Sequence, residues 1–518
     1  MDSMINTSLA SGRKPVREVD LIIVGGGTAG ALLARCLATS TAAEILVLEA
    51  GPSFPKWSLS VPLASYRLRR PWCWNYWSEP QEELAGRRIL YPMGRVLGGS
   101  SAVNAMIAAP GPASDYDSWL EGEDHEWKGA LLQHYWRRLT QEQPAPWVSL
   151  AEPAYTSTFT AALIEACGEY GLEQSSCLVG DRSQVCGTFA LFQKHRRRYS
   201  TAEAVLGVGD SRSLAVAVRA GVRHILLDRN RAVGVQCSAD PSSAIYARMG
   251  VVLCAGVFGS PSILMRSGIG PEDGLSEAGI PVHHHLPGVG QNLQDHIGVP
   301  VVWCSSAPSP GRPSRWLSAA LSYGLRRDGV MVSNGCEGGA FLGENPASPD
   351  LEIAALFQSA LRPNAVEISA IVMHPHSRGS VTLDPRRPFG RPLIHPRFLS
   401  DSRDVRRLLN GVEHIRAIAS QKSLRAFGLT QELMPGGVDL SKHIQCYATT
   451  HYHPVGTCRL GYDDLAVVTP GLQVQGIRNL WVCDNSVIPR LVAGHSAATA
   501  MIIAARGADL IAARLATA

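Results

Sequence analysis

A glycine-rich loop and a later acidic residue are the first groups in the chain that could do chemistry together. The loop 25–30 reads Gly-Gly-Gly-Thr-Ala-Gly after an apolar run, and Glu49 ends the next apolar run. Gly25 allows a tight turn, Gly27 lets the backbone approach a pyrophosphate, and Gly30 lets a helix pack on the strand. Glu49 lies about 20 residues further on, where its carboxylate can accept hydrogen bonds from a ribose. The spacing predicts a dinucleotide-binding βαβ unit, with the pyrophosphate at a helix N-terminus.

A second glycine loop and the C-terminal part of the chain continue this pattern. Residues 94–104 read Gly-Arg-Val-Leu-Gly-Gly-Ser-Ser-Ala-Val-Asn, and two such loops in one nucleotide-binding domain indicate a long cofactor. Near the C-terminus, the apolar run 479–483 ends at Asp484, and a helical pattern covers about 496–513. We therefore expect the nucleotide-binding domain to be discontinuous in sequence.

Other segments predict the elements that position these loops. Residues 31–39 are predicted as the helix of the βαβ unit, 251–255 as a late strand of the same parallel sheet, and 214–236 as a hairpin that turns at 228–230. The region 301–444 lacks a phosphate loop. Its strand-like segments, 351–356 and 370–374, and a helix over 403–419 favour a substrate-covering domain.

Composition limits the classes of partner. The 518 residues carry 48 basic and 44 acidic side chains, a net charge of +4, with no long block of like charge. Composition therefore gives no reason to expect nucleic acid or an anionic membrane as partner. No run reaches the roughly 18 apolar residues of a membrane span, and residues 1–18 form a polar leader without an apolar segment. We expect a soluble, cytoplasmic protein.

Cysteine and histidine usage does not predict a metal site. The 12 cysteines include no Cys-x-x-Cys pair, which favours reduced, mostly buried thiols. The run 283–285 is three histidines, but consecutive residues of an extended segment point to opposite faces, so they cannot all bind one ion. The basic run 195–198 could bind a phosphate or form a solvated loop. The Trp-rich stretch 72–77 could line a substrate entrance or pack in the core.

These motifs together resemble the glucose-methanol-choline (GMC) oxidoreductase family, from Asp20 nearly to the C-terminus. The loop 25–30 resembles the family's FAD pyrophosphate loop, and 94–104 and 256–271 are similar to its two signatures. The stretch 289–296 and the block 453–458, with a later histidine at 495, follow in family order.

The resemblance implies FAD as the cofactor. Val103 stands where some members carry a histidine bonded covalently to the flavin, so noncovalent FAD is expected. The cofactor-binding residues implied by the match are Gly25, Gly27, Thr28, Ala29, Gly30, Glu49, Ala50, Arg95, Gly99, Asn104, Ala105, Val222, Asp484 and Asn485.

The resemblance also implies oxidation of a primary or secondary alcohol to an aldehyde or ketone. His453 matches the family's catalytic base, with His495 as its partner and flavin N5 as the hydride acceptor. Histidine suits this role because its ordinary pKa lies near neutrality. His451 is expected behind the site or at the surface. The partners would be a small-molecule alcohol and an electron acceptor, either oxygen or another carrier.

Two other functions remain open at this stage. The family also includes hydroxynitrile lyases, which bind flavin but perform no net redox chemistry and could use the same two histidines. A noncatalytic flavoprotein is a third alternative. The predicted fold class is α/β: a Rossmann-like FAD-binding domain (19–155, 210–300 and 445–518) and an α+β substrate-binding cap domain with an antiparallel sheet (156–209 and 301–444).

Overall fold

Two large sheets form the framework of the computed structural model, which describes residues 18–63, 69–121, 126–141, 147–203, 213–237, 244–306, 316–362 and 365–516. The leader predicted for residues 1–18 lies outside the described residues, except for Glu18, where the first strand begins.

The strands are, in chain order, β1 (Glu18–Val24), β2 (Ile45–Glu49), β3 (Tyr76–Trp77), β4 (Leu90–Tyr91), β5 (Glu173–Leu178), β6 (Val185–Phe189), β7 (Gln193–Lys194), β8 (Arg197–Arg198), β9 (Leu214–Val218), β10 (Val222–Asp228), β11 (Arg231–Cys237), β12 (Ala244–Leu253), β13 (Ile269–Gly270), β14 (His284–His285), β15 (Ile297–Ser305), β16 (Gly338–Leu342), β17 (Leu351–Leu356), β18 (Ala365–Val372), β19 (Ser380–Thr382), β20 (Leu393–His395), β21 (Leu429–Met434), β22 (Thr449–Thr450) and β23 (Leu480–Val482).

The α-helices are α1 (Thr28–Ser40), α2 (Lys56–Leu59), α3 (Ala113–Asp117), α4 (Gly129–Gln141), α5 (Thr158–Glu169), α6 (Gly256–Arg266), α7 (Glu272–Glu277), α8 (Trp316–Arg326), α9 (Ser402–Ala419), α10 (Lys422–Phe427), α11 (Leu440–Tyr447) and α12 (Ser496–Ala516).

The first sheet carries the predicted dinucleotide-binding unit. Its order is β10-β11-β12-β1-β2-β9, and β23 pairs with β12. β1 is parallel to both β2 and β12, whereas β10, β11 and β12 are antiparallel neighbours. β2 is buried along its whole length, as expected for a parallel strand covered on both faces. The predicted βαβ unit and late parallel strand are confirmed, although α1 begins at Thr28 rather than at residue 31. The hairpin predicted over 214–236 is confined to β10 and β11, because 214–218 form the separate strand β9, which is parallel to β2.

Helix α12 packs against α1 and α4 on this sheet. It is the one helix of the described residues with the length and hydropathy of a membrane span, and 67% of its most apolar window is buried inside the protein. This burial is what a core helix of a globular domain shows.

The second sheet has the order β21-β15-β18-β17-β16-β6-β5, and β22 pairs with β15. Its pairs are antiparallel except β5 with β6, so the predicted antiparallel sheet contains one parallel pair. The predicted strand 370–374 is the end of a longer strand, β18. β15 crosses the predicted domain limit at 300, and β22, predicted to belong to the FAD-binding domain, pairs with β15 in the second sheet. The division into two domains remains a prediction.

Alternation along the central strands gives this sheet two different faces. One face holds the apolar side chains of β15, β17 and β18 that α9 covers, with Gly411 of α9 against Ala370. The opposite face holds Glu352, Glu367 and Ser369 and lines a cavity. The α/β class predicted from sequence is therefore confirmed, and the second sheet presents polar groups to the cavity.

Close packing of α9 on β18 gives a stability prediction. A methyl group at Gly411 would lie 2.6 Å from Cβ of Ala370, whereas one at Gly324 of α8 meets nothing within 4 Å. We expect Gly411→Ala to lower the free energy of unfolding by about 1–3 kcal/mol through overpacking. Gly324→Ala should instead raise it by up to about 1 kcal/mol through helix propensity. Equal effects of the two variants in denaturant unfolding would contradict the packing described here.

Candidate active site

One cavity of about 1290 Å³ is lined by His453, His495 and nearly all the predicted cofactor-binding residues. Small-molecule pockets are typically about 300–1,000 Å³, so this cavity has room for more than one ordinary ligand. Every predicted cofactor-binding residue except Gly30 lines it, as do His453 and His495. Gly30 lies behind the lining, where a Cβ would stand 2.0 Å from the carbonyl oxygen of Gly25, so its role is helix packing.

The two glycine loops meet backbone to backbone at one side of the cavity. Gly25 has a φ of +105°, and the N–H of Gly98 donates to the carbonyl of Gly26 at 2.7 Å. A Cβ at Gly99 would lie 2.6 Å from Cα of Gly27. Gly27 is the N-cap of α1 and offers no capping side chain, so the first amides of α1 remain available to an anion.

Glu49 lies at the end of β2, beside this loop. Its carboxylate accepts hydrogen bonds from the backbone N–H of Gly26 at 3.0 Å and from that of Gly51 at 2.7 Å. Burial raises the pKa of Glu49 to about 7, and the two amides oppose that rise by stabilising the ionised form. Ala50 follows it in the cavity wall. The acid is thus held rigidly at the position expected for a ribose contact.

Asp484 and Asn485 close the opposite end of this region. The carboxylate of Asp484 accepts from the N–H of Gly256 at 2.8 Å and from Oγ of Ser260 at 2.6 Å, which ties β23 to the start of α6. Asn485 donates Nδ2 to the carbonyl of Ser496, while its buried Oδ1 has no hydrogen-bond partner among the described residues. An open acceptor here, with the uncapped helix and the glycine cradle, fits a bound dinucleotide.

A buried arginine holds the middle of the second loop. Arg198 is 1% exposed and donates to Oδ1 of Asn104 at 2.7 Å and to its carbonyl at 2.6 Å. Burial lowers the pKa of Arg198 to about 9. The basic run 195–198 therefore ends in a structural residue that fixes Asn104 and the neighbouring Ala105 and Val103 at the cavity wall.

The remaining predicted contacts stand along the same wall. The guanidinium of Arg95 lies 4.5 Å from the ring centroid of Trp74, which also lines the cavity, whereas Trp77 is 51% exposed. Val222 begins β10 at the cavity edge. The Trp-rich stretch thus contributes Trp74 and Tyr76 to the cavity and Trp77 to the surface.

His453 and His495 face each other with ring centroids 4.6 Å apart and an interplanar angle of 73°. His453 lies after β22, where its N–H donates to the carboxylate of Asp295 at 2.8 Å. His495 precedes α12, and its N–H donates to the carbonyl of Ala109 at 2.7 Å. Segments distant in sequence thus bring the two imidazoles together at the cavity.

The protonation of His453 follows from its neighbour His296. Nε2 of His296 lies 2.9 Å from the carbonyl of Met373, which can only accept, and Nδ1 lies 2.9 Å from Nδ1 of His453. Burial lowers the pKa of both histidines well below the usual range. Because a neutral His296 donates from Nε2, its Nδ1 must accept, so His453 carries its hydrogen on Nδ1. Nε2 of His453 is left with a lone pair.

His495 is oriented by a carboxylate. Its Nε2 lies 3.2 Å from both oxygens of Glu352, which is 1% exposed at the side chain. The carboxylate can only accept when ionised, so it fixes a hydrogen on that nitrogen.

His451 also lines the cavity, so the expectation of a place behind the site or at the surface was wrong. Burial lowers the pKa of His451 to about 4.

Sequence reasoning missed the roles of His296 and Glu352. Glu352 lies within the buried strand 351–356, and an acid in a buried strand is a signal that could have marked it. His296 was part of a family-like motif but received no role. The only sequence signal for His296 was its position in the stretch 289–296.

Comparison with known proteins defines the class of this chain. The models of the GMC oxidoreductase N-terminal and C-terminal regions match residues 19–298 and 375–504. The chain belongs to the GMC oxidoreductase family.

Relatives match over almost the whole chain. A GMC-type oxidoreductase of Mycobacterium tuberculosis is 37% identical over 95% of this chain and 99% of its own length. Alcohol dehydrogenase [acceptor] of Pseudomonas putida is 32% identical over 95% of both chains. The crystal structure of pyridoxine 4-oxidase from Mesorbium loti superposes with a TM-score of 0.85 at 29% identity, covering 95% of this chain and 98% of that one. The family and the cradle described above support FAD as the cofactor.

The contact between the glycine loops gives a prediction on cofactor binding. Gly99→Ala would place a methyl group 2.6 Å from Cα of Gly27, at a φ of +52°. We expect most of the flavin absorbance per protein to be lost from the purified variant. Gly86→Ala is the matched control, because Gly86 also has a positive φ, +74°, but nothing lies within 4 Å of its added methyl group. Full flavin content in Gly99→Ala would contradict the cradle.

Proposed function

We propose that the protein is an FAD-dependent enzyme that oxidises a primary or secondary alcohol to an aldehyde or ketone. The observation that carries this proposal is the lone pair on Nε2 of His453, paired with His495 in the same cavity as the dinucleotide cradle. The similarity to an alcohol dehydrogenase supports an alcohol-type substrate. FAD, when bound, supplies the two-electron acceptor.

His453 is the proposed base. An alcohol hydroxyl that approaches Nε2 can transfer its proton there, and the negative charge left on oxygen makes loss of hydride from the carbinol carbon feasible. Glu352 holds His495 beside this site, and in its doubly protonated form the second ring N–H of His495 can donate to the same oxygen as charge develops. The reaction balances: the alcohol loses one proton to His453 and one hydride to the acceptor, and a C=O bond is formed.

Three further parts of the proposal concern the cofactor, the acceptor and the setting. FAD is proposed to bind noncovalently, because the aliphatic Val103 lines the cavity and cannot form the histidine–flavin bond. The electron acceptor is oxygen or another carrier. A cytoplasmic location and the division into FAD-binding and substrate-binding domains, which the sequence predicted, are retained as proposals.

The proposal is tested by mixing the purified enzyme anaerobically with a panel of alcohols and recording the visible spectrum. We expect the flavin band to bleach with at least one class of alcohol, and recovery in air would identify oxygen as the acceptor. A band that stays oxidised with every alcohol while a cyanohydrin is cleaved would establish the hydroxynitrile-lyase alternative instead. Flavin released by denaturation would support noncovalent binding.

Replacement of the base should separate catalysis from cofactor binding. His453→Asn removes the proton acceptor but keeps a polar side chain, so we expect flavin reduction to slow by about 10²–10⁴-fold. The flavin content should remain that of the wild type. An unchanged rate of flavin reduction in stopped-flow measurements would rule out His453 as the base.

The acid limb of the kcat/KM profile should be shifted to lower pH. Burial, followed by the neighbouring His495, His296 and His451, lowers the pKa of His453 well below its ordinary 6.5. The base acts when neutral, so a lowered pKa keeps it active as the pH falls. We therefore expect kcat/KM to fall only below pH 6.5, and an acid limb centred above that pH would contradict the assignment.

A further inference from the structure

The cavity face of the second sheet carries a carboxylate that the proposed chemistry does not use. Glu367 of β18 lines the cavity and is 9% exposed. Oγ of Ser359 donates to its Oε2 at 2.7 Å, and Oγ of Ser369 donates to its Oε1 at 3.3 Å. No hydrogen bond or ion pair joins this carboxylate to a basic side chain within the described parts of the chain.

Sheet register places Glu367 far from the histidines. Across the strands, Ile371 of β18 pairs with Glu352, the partner of His495, whereas Glu367 pairs with Leu356. Four residues along a strand span roughly 14 Å, so the acid stands at the other end of this cavity face. Between the two ends, the cavity face carries Ala354, Ser369 and Pro300 of β15, which are small and, apart from Ser369, apolar.

This pattern gives the cavity a polar end with the histidines, an apolar middle and an acidic end. A buried carboxylate is costly unless it is paired, and hydroxyl groups alone do not neutralise its charge. A cationic ligand would do so, and its hydrocarbon chain would cover the apolar middle. In an alcohol whose cationic group is close to the carbinol carbon, that group could not reach Glu367 while the hydroxyl group lies at His453.

We propose that the cavity binds an elongated alcohol that carries a primary ammonium group at its far end, and that Glu367 is the carboxylate that binds this group. The proposal rests on the proposed alcohol oxidation for the role of the hydroxyl end. Glu367 is a specificity residue, since it touches the substrate remote from the reacting atoms.

A series of substrates of increasing length tests the distance between the histidine pair and Glu367. The ratio of kcat/KM for an amino alcohol to that for the n-alkanol of the same length is measured from ethanolamine upward. We expect the ratio to rise with chain length and to pass through a maximum when the ammonium group reaches Glu367. A ratio that is greatest for ethanolamine, or that never exceeds one, would overturn the proposal.

A matched pair of variants tests the residue. Glu367→Gln keeps the size and removes the charge; its Oε1 can accept from one serine hydroxyl, and its Nε2 can donate to the other. We expect it to lower that ratio by about 10–100-fold at the optimal length. Glu337→Gln is the control, because Glu337 is also buried and held by hydroxyl groups of Ser157, Thr160 and Ser333 but does not line the cavity. The same loss of preference in both variants, or in neither, would overturn the assignment.

Binding without turnover separates this inference from the proposed function. Long n-alkylamines that lack a hydroxyl group are titrated into the FAD-loaded wild type and Glu367→Gln by calorimetry. We expect binding to the wild type that weakens by at least 10-fold in the variant and also weakens at acid pH, where the carboxylate is protonated. Such a result supports the subsite even if no alcohol reduces the flavin. Equal affinity in both proteins would remove the subsite and leave alcohol oxidation standing.

Discussion

The structure depends on a close backbone contact between two glycine loops. Gly98 donates to the carbonyl of Gly26, and Gly99 approaches Gly27 so closely that a methyl group cannot fit between them. This contact leaves the first amides of α1 uncovered at the cavity and sets the second loop, with Asn104, beside them. The proposed cofactor site is therefore made largely of main-chain groups, and Glu49 and Asp484 fix its two ends by accepting hydrogen bonds from further main-chain N–H groups.

Around this site, the second sheet supplies side chains by simple alternation. Residues that face α9 are apolar, whereas their neighbours in the sequence, such as Glu352, Ser369 and Glu367, face the cavity. The same sheet supports His451 and His453, which follow β22. One face of one sheet thus carries both the groups that orient the histidine pair and the groups that could select a substrate.

The spacing of nearby residues in the sequence made part of the fold and of the candidate site predictable. The turn at Gly25, the acid at Glu49 and the βαβ unit depend on neighbouring residues, and the sequence patterns indicated them correctly. The contacts of His296 with His453 and of Glu352 with His495 join residues 157 and 143 positions apart. Such contacts depend on strand register and on the packing of separate segments, which periodicity does not reveal. For the same reason, the sequence could not place Arg198 in the core or His451 in the cavity.

The central claim is that a carbinol C–H bond is broken beside His453 and His495 with FAD as the acceptor. The most direct test is anaerobic single-turnover reduction of the flavin at saturating alcohol, with and without deuterium on the carbinol carbon. The account predicts that the flavin band bleaches and that the deuterated alcohol bleaches it several-fold more slowly. Bleaching at the same rate with both alcohols, or a flavin that stays oxidised, would contradict it.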